Sequence, residues 1–220
     1  MVGVLSRRQP DLTVLIENVH KPHNLAAVVR TADAVGISDV HAISDSKTFR
    51  MRQKAASGSG RWVRVHSHNT IQDAYSTFRR QGLSIYCAHF SDDAINFREF
   101  DFTQPVALVF GSELAGVSKE AIAQADGNII IPMTGMVQSL NVSVAAALML
   151  FEAQRQRELK GLYDQFRLDP VEFRKEIFER CYPDVAQYCR IHHLPYPELD
   201  EDGYMAEPLL DRMDNIRKLP

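Results

Sequence analysis

Residues 129–147 read IIIPMTGMVQSLNVSVAAA. The three isoleucines do not alternate with polar residues, so they describe a short strand covered on both faces, the pattern of a parallel sheet between helical layers. Pro132 ends that strand, because it has no N–H to give to a ladder, and a loop carrying Gly135 follows. A helix then begins near Ser139 to Asn141 and is apolar nearly all round through Ala145 to Phe151. Such a helix must be buried on more than one side. A dimer interface would do this, and so would the centre of a monomeric core.

The same pattern recurs upstream. Residues 106–110, VALVF, form a second unbroken apolar run that ends at Gly111. With β-branched runs at 12–19, 39–43, 62–66 and 83–90, the expected strands number six, counting 128–133. Residues 24–35, 71–80 and 119–124 read as helices between them. In the first of these, Leu25, Val28, Val29, Ala32 and Val35 mark one buried stripe, with Pro22 just before the helix, Gly36 just after it and Asn24 able to cap it. Strands alternating with helices predict an α/β fold with a mostly parallel sheet flanked by helices. Composition changes near residue 155: a charged helical continuation follows, then two amphipathic segments at 171–181 and 185–192, then an acidic end. From Cys181 to Pro220 there are eight acids against four Lys and Arg. We expect a core over 1–155 and a helical extension over 156–220.

Bulk properties exclude several classes. A net charge of −3 creates no global field for a polyanion, so any nucleic-acid surface must be local. The three cysteines form no C-x-x-C pair, which points away from zinc sites and disulfide frameworks and toward buried thiols in a reducing cytoplasm. No long apolar run follows the N-terminus, so no signal peptide is expected. The apolar run 140–151 is too short to span a bilayer. The turn after residues 12–19 has no glycine, which argues against a nicotinamide-dependent dehydrogenase. No G-x-x-x-x-G-K-[ST], H-E-x-x-H or G-x-S-x-G occurs, Gly58-Ser59-Gly60 precedes a strand as a plain turn, and the eight histidines show no ligand spacing on a shared helix face. No metal is expected.

Three segments remain that can carry chemistry. Asn24 to Arg30 gives N-x-x-x-x-x-R, with Arg30 off the apolar stripe. Gly111 to Gly116 gives G-S-E-x-x-G after a buried strand, where open α/β sheets bind ligands and where a glycine would let a ligand approach the backbone. Ile131 to Ala147 gives I-P-M-x-G-x-x-x-S-L-N-V-S-V-A-A-A. Taken together they resemble the SpoU family of the SPOUT methyltransferases, over about residues 7–200. The stretch RQPDLTV at 8–14, with HKPHN at 20–24, resembles the members that act on tRNA guanosine.

The resemblance implies a SPOUT-type sheet with a C-terminal trefoil knot, a homodimer, and transfer of a methyl group from S-adenosyl-L-methionine to the ribose 2′-hydroxyl of a D-loop guanosine at position eighteen of tRNA. The alternatives are another RNA, such as ribosomal RNA, or a non-catalytic RNA-binding relative. By position, main-chain groups at Ala88, Gly111, Ile131 and Leu140, with Met136 beside them, would hold the donor. Arg30 would take the central catalytic part, Asn24 would fix its surroundings, and Glu113, Ser139 and Asn141 would shape the pocket.

A local basic surface has its own signal. From Ser46 to His68 there are six Lys and Arg and no acid, with Phe49 and Trp62 interleaved. That mixture suits phosphate contacts and base stacking. Lys47, Arg50, Arg52, Lys54 and Arg61 are therefore candidate RNA contacts, extended by Arg7, Arg8 and the helix around Arg155 to Lys160.

Overall fold

The computed structural model describes residues 2–18, 21–43, 62–112, 115–200 and 203–206. The chain divides into two compact units, residues 7–167 and residues 1–6 with 168–220. The described elements, in chain order, are α1 (Val2–Leu5), β1 (Leu12–Glu17), α2 (Pro22–Ala34), β2 (Asp39–Ile43), β3 (Arg64–His68), α3 (Ile71–Arg80), β4 (Ser84–Ala88), β5 (Ile95–Asn96), β6 (Val106–Phe110), α4 (Lys119–Gln124), β7 (Gly127–Ile130), α5 (Val142–Leu159), α6 (Pro170–Cys181) and α7 (Pro183–Ile191).

In the larger unit, seven strands form one sheet in the order β3-β2-β1-β6-β4-β7-β5. Every pairing is parallel. Of the two unbroken apolar runs, 106–110 lies where two-sided burial demands it: every residue of β6 is buried, as is every residue of its partner β1, and the two pair from Leu12↔Val106 to Ile16↔Phe110. The run 129–131 departs from the expectation: Ile129 is buried, but Ile130 and Ile131 are half-buried, since β7 has only the two-residue β5 beyond it in the sheet. On one face, α2 lays Leu25, Val28, Val29, Ala32 and Val35 into a cluster that also takes Val142, Ala146, Met149, Leu150 and Ala153 of α5. On the other face, Ile71, Ala74, Tyr75 and Phe78 of α3 and Ala121 of α4 cover Leu15, Ile85, Cys87 and Val109.

Element boundaries depart from the sequence reading for local reasons. The helix expected at 24 begins at Pro22, with Lys21 at its cap position and no side-chain cap, so Asn24 lies inside the helix rather than capping it. Proline is favoured at a first helical position, where a missing N–H leaves no bond unmade. The strand expected at 62–66 runs over Arg64–His68, in register with β2 from Asp39↔Arg64 to Ile43↔His68. The expected 128–133 shortens to Gly127–Ile130, since its neighbours stop at Ala88↔Ile129 and Asn96↔Ile130. The expected 83–90 shortens to Ser84–Ala88, and 12–19 ends at Glu17, with Asn18 turning at φ 52° and Val19 outside the described residues. β5 is two residues long and had no sequence signal. Gly36 takes φ 82° just past α2, the left-handed position that ends many helices.

Two arginines assigned to a surface are buried instead. Arg8, expected to meet RNA, is 1% exposed and bonds Asp33 Oδ1 at 2.7 Å, the Ile37 carbonyl at 2.8 Å and the Trp62 carbonyl at 3.2 Å. Arg157, within the helix expected to extend that surface, is fully buried. Its guanidinium reaches Asp11 Oδ1 at 2.7 Å, Gln9 Oε1 at 3.0 Å and the carbonyls of Phe102 and Gln104 at 2.8 and 3.0 Å. Arg167 grips the same carboxylate from the other side, at 2.7 Å to Oδ2. Burial works to raise the Asp11 pKa, and the hydrogen bonds and charges of the two arginines outweigh it and lower it. Arg157 so locks the end of α5 to the residues that lead into β1 and β6.

β2 and β3 gather three histidines, which the sequence scattered. His41 Nδ1 lies 2.8 Å from His68 Nε2, and His66 Nε2 lies 2.6 Å from Asp39 Oδ1. The His66 ring stacks on His41 at 4.8 Å. Among the described residues no group of side chains could hold a metal ion. Burial first, then the neighbouring imidazoles, push the His41 pKa from 6.5 down to about 3. The folded state therefore keeps His41 neutral where the unfolded chain takes up a proton. Stability is full above pH 6.5 and falls between pH 6.5 and 3, by up to about 1.4 kcal/mol per pH unit from this group. Thermal melts at pH 7.5, 6 and 5 should show that decline, and His41→Leu should flatten it; an unchanged slope in the variant would count against the assignment.

The smaller unit has its own core of Ile177, Phe178, Ala186 and Cys189. Asp169 caps α6 through Val171 N and Glu172 N, and Phe178 stacks on Tyr196 at 4.7 Å. Cys87 and Cys189 are buried as expected; Cys181, at the end of α6, is exposed instead. Among the described residues no helix is long and apolar enough to cross a membrane.

Candidate active site

Because β6, β4 and β7 are adjacent and parallel, their carboxyl ends open on one edge of the sheet. Ala88 closes β4 and pairs with Ile129, Gly111 follows β6 directly and Ile131 follows β7 directly. The chain continues from Ala88 by a hydrogen bond from His89 N to the Ile129 carbonyl at 3.2 Å. Three of the five residues expected to hold a donor thus share one edge.

The loop after β7 supplies the others. Residues 132–140 form no hydrogen bond with any other described residue. Met136 is fully exposed, Ser139 is exposed and Leu140 is half-buried. The loop holds no charged side chain. A run of open main-chain donors and acceptors fits an adenosine moiety, which can be held by backbone N–H and C=O groups with no counter-charge.

The loop after β6 is closed on itself. Ser112 and Gly116 exchange two main-chain hydrogen bonds at 3.0 and 2.9 Å, and Ala115 N donates to Ser112 Oγ at 3.1 Å. This corrects the reason for Gly111. A Cβ there would come within 1.9 Å of Gly116 C and 2.1 Å of Val117 N, so the space belongs to the chain's own backbone rather than to a ligand. Glu113, expected to shape the pocket, lies outside the described residues.

Asn24 and Asn141 meet. Asn141 caps α5 by accepting from Ser143 N at 2.9 Å and Ser143 Oγ at 2.6 Å, and its Nδ2 donates to Asn24 Oδ1 at 3.4 Å. This joins the first turns of α2 and α5. Arg30 is not part of that joint. It stands on the exposed side of α2, about 9 Å further along the helix axis, and its side chain bonds no described residue. The outer side of α5 is apolar: Val144, Leu148 and Phe151 are 46, 42 and 51% exposed at spacings of four and three, so the described residues of this chain cover the helix on one side.

The basic candidates Lys47, Arg50, Arg52, Lys54 and Arg61, with Phe49, lie outside the described residues. Arg7 is exposed, and Arg155 is exposed and paired with Glu152 at 2.7 Å. Arg64, in the same run, pairs with Asp39 at 2.8 Å. One residue at this edge escaped the sequence reading. Glu17, the last residue of β1, is 3% exposed and accepts from Ser118 N at 2.8 Å. A carboxylate ending an otherwise apolar strand, LTVLIE, was the signal available.

Residues 11–151 match the model of the SpoU rRNA Methylase family, and residues 155–208 match that of the SpoU rRNA methylase C-terminal region. The chain belongs to the SpoU methylase family. Among its SpoU relatives, a tRNA (guanosine(18)-2′-O)-methyltransferase of Escherichia coli K12 is 50% identical over 202 residues, covering 91% of this chain and 88% of that one. A crystal structure of the A. aeolicus TrmH/SpoU tRNA modifying enzyme superposes with a TM-score of 0.76 at 42% identity, covering 84% of this chain and 94% of that one. An AdoMet-bound rRNA methyltransferase from Sinorhizobium meliloti superposes at 0.60 and 29% identity, covering 70% of this chain and 59% of that one. The mostly parallel sheet read from the alternation of strands and helices is thus shared with solved members of the family.

Proposed function

We propose that this SpoU protein transfers the methyl group of S-adenosyl-L-methionine to the ribose 2′-hydroxyl of guanosine eighteen in the D-loop of tRNA. The observation that carries the reading is the near full-length likeness to a protein named for that reaction. It is supported by the edge formed by Ala88, Gly111 and Ile131 and by the open main chain of residues 132–140. An AdoMet-bound relative with the same fold supports the donor. When bound, the donor supplies an electrophilic methyl on a sulfonium. Ala88, Gly111, Ile131, Met136 and Leu140 would hold its adenosine through main-chain groups.

A ribose hydroxyl is a poor nucleophile until its proton is lost or shared. A guanidinium is a poor base and a good clamp for phosphate oxygens. Arg30 would therefore grip the phosphate beside the target ribose and stabilise charge growing on the 2′-oxygen. Asn24 and Asn141 hold the roots of α2 and α5 in fixed relation, with Ser139 just before that joint and Glu113 in the loop after β6. Methyl transfer from labelled donor to bulk tRNA, with the modified nucleotide mapped by mass spectrometry, tests the reading; label found in ribosomal RNA alone would favour the second reading. That second reading, a 2′-O-methyltransferase of ribosomal RNA, has one observation behind it, the likeness to the S. meliloti protein.

The working form we propose is a homodimer in the cytoplasm. The exposed stripe of Val144, Leu148 and Phe151 supports it, and Arg30 on the exposed side of α2 would then serve at the interface. Leu148→Glu should shift the protein from dimer to monomer in light scattering and reduce methyl transfer with it; a dimer that persists would refute this face. We also assign the family's trefoil knot to this chain, and tRNA contacts to Arg7, Arg155, the basic run 46–68 and the helical extension past residue 155. Arg50→Glu with Arg52→Glu should weaken tRNA binding and lower its salt slope by about 0.9 for each phosphate no longer neutralised. Unchanged affinity at low salt would count against that placement.

A further inference from the structure

The loop after β6 is held in three places. Gly111 carries it out of the sheet, the Ser112–Gly116 pair closes its neck, and its exit is held by a side chain from another strand, Glu17 Oε2 accepting from Ser118 N at 2.8 Å. Ser118 caps α4, its Oγ accepting from Ala121 N at 3.1 Å. One residue therefore receives the loop, starts the helix and is tied to β1.

Glu17 is poorly explained by stability alone. It is 3% exposed at the end of a strand whose other five residues are all buried. Burying a carboxylate is costly, and an apolar side chain would suit that position in a two-sided sheet better. What the carboxylate adds is a charge-assisted bond of fixed length to a main-chain N–H. It also couples two parts of the site, since the next residue, Asn18, turns at φ 52° into the segment that leads to α2 and Arg30.

We propose that Glu17 is a positioning residue, which sets the loop after β6 against the donor and ties it to the root of the arginine-bearing helix. The inference rests on the donor site proposed above. The acceptor must have the right reach, so Glu17→Asp, shorter by one methylene, should lose the bond while keeping the charge, and Glu17→Gln should keep the bond while losing the charge.

The experiment is calorimetric titration with S-adenosyl-L-methionine, steady-state kinetics and hydrogen exchange at the Ser118 amide, on wild type, Glu17→Asp, Glu17→Gln and Glu17→Leu. For Asp and Leu we expect donor affinity and donor KM to worsen by about tenfold, the effect of one buried hydrogen bond lost. Their kcat should stay within about threefold, well below that loss, and the Ser118 amide should exchange faster. Glu17→Gln should restore all three. Should the leucine variant fail to fold, the Asp and Gln pair decides. Wild-type affinity and exchange in Glu17→Asp, or a Gln variant as impaired as Asp, would overturn the proposal. A wild type that binds no donor would instead overturn the functional reading, and this inference with it.

Discussion

Arg30→Ala should lower methyl transfer to tRNA by about 10²–10³-fold, the usual loss when one preorganised donor to a developing oxyanion is removed. The affinity for S-adenosyl-L-methionine should not change. The two outcomes separate because the proposed donor groups are main-chain atoms at the ends of β4, β6 and β7, whereas Arg30 stands on the solvent side of α2 and its side chain bonds none of the described residues. The loss should therefore sit in kcat for tRNA and leave the calorimetric titration of donor unaltered. Arg30→Lys should recover little, because an ammonium cannot reproduce the two-pronged grip of a guanidinium on phosphate. Near-normal turnover of the alanine variant would remove Arg30 from the reaction.

The largest effect on stability should come from Arg157→Ala, about 2–4 kcal/mol, from stranded buried carbonyls and a cavity, while Arg167 still neutralises Asp11. Arg157 is fully buried and satisfies a carboxylate, a side-chain amide and the carbonyls of Phe102 and Gln104 at once. Truncation leaves both carbonyls without their guanidinium and opens a void where a long side chain had been. Urea unfolding followed by circular dichroism measures the change. A loss below about 1 kcal/mol, the worth of an exposed pair, would mean the network contributes no more than a surface ion pair.

Those two arginines also mark what the sequence could and could not disclose. β6 was legible because it is covered on both faces, and such a strand spells an unbroken apolar run; 129–131 spells the same run although only Ile129 of it is buried. The stripe of the first long helix was legible for the related reason that α2 buries one side, Leu25 to Val35, against the sheet. Arg157 was read as part of a charged helical face, since its partners Asp11 and Gln104 lie far away in the chain and no local pattern announces them. Arg8 was misread in the same way, in a basic pair whose second member is buried against Asp33. Asn24 is a favourable cap residue, yet Pro22 starts the helix earlier and leaves it to bond Asn141 instead. Gly111 was read as room for a ligand, although Gly116 fills that room, an approach across a loop too short to leave a periodic trace. Met136 and the loop around it were placed by resemblance, because irregular backbone carries no period to read.

Strand order has a further consequence, for biosynthesis. β1 emerges early from the ribosome, but its neighbour β6 begins at Val106, and β4 must wait for β7, which begins at Gly127. A chain made only as far as residue 100 therefore leaves one flank of β1 without its ladder, and the edge proposed to hold the donor cannot exist until Ile131 has been made. Pairings of such long sequence separation slow folding, so the unfinished protein would remain a client for chaperones through most of its translation.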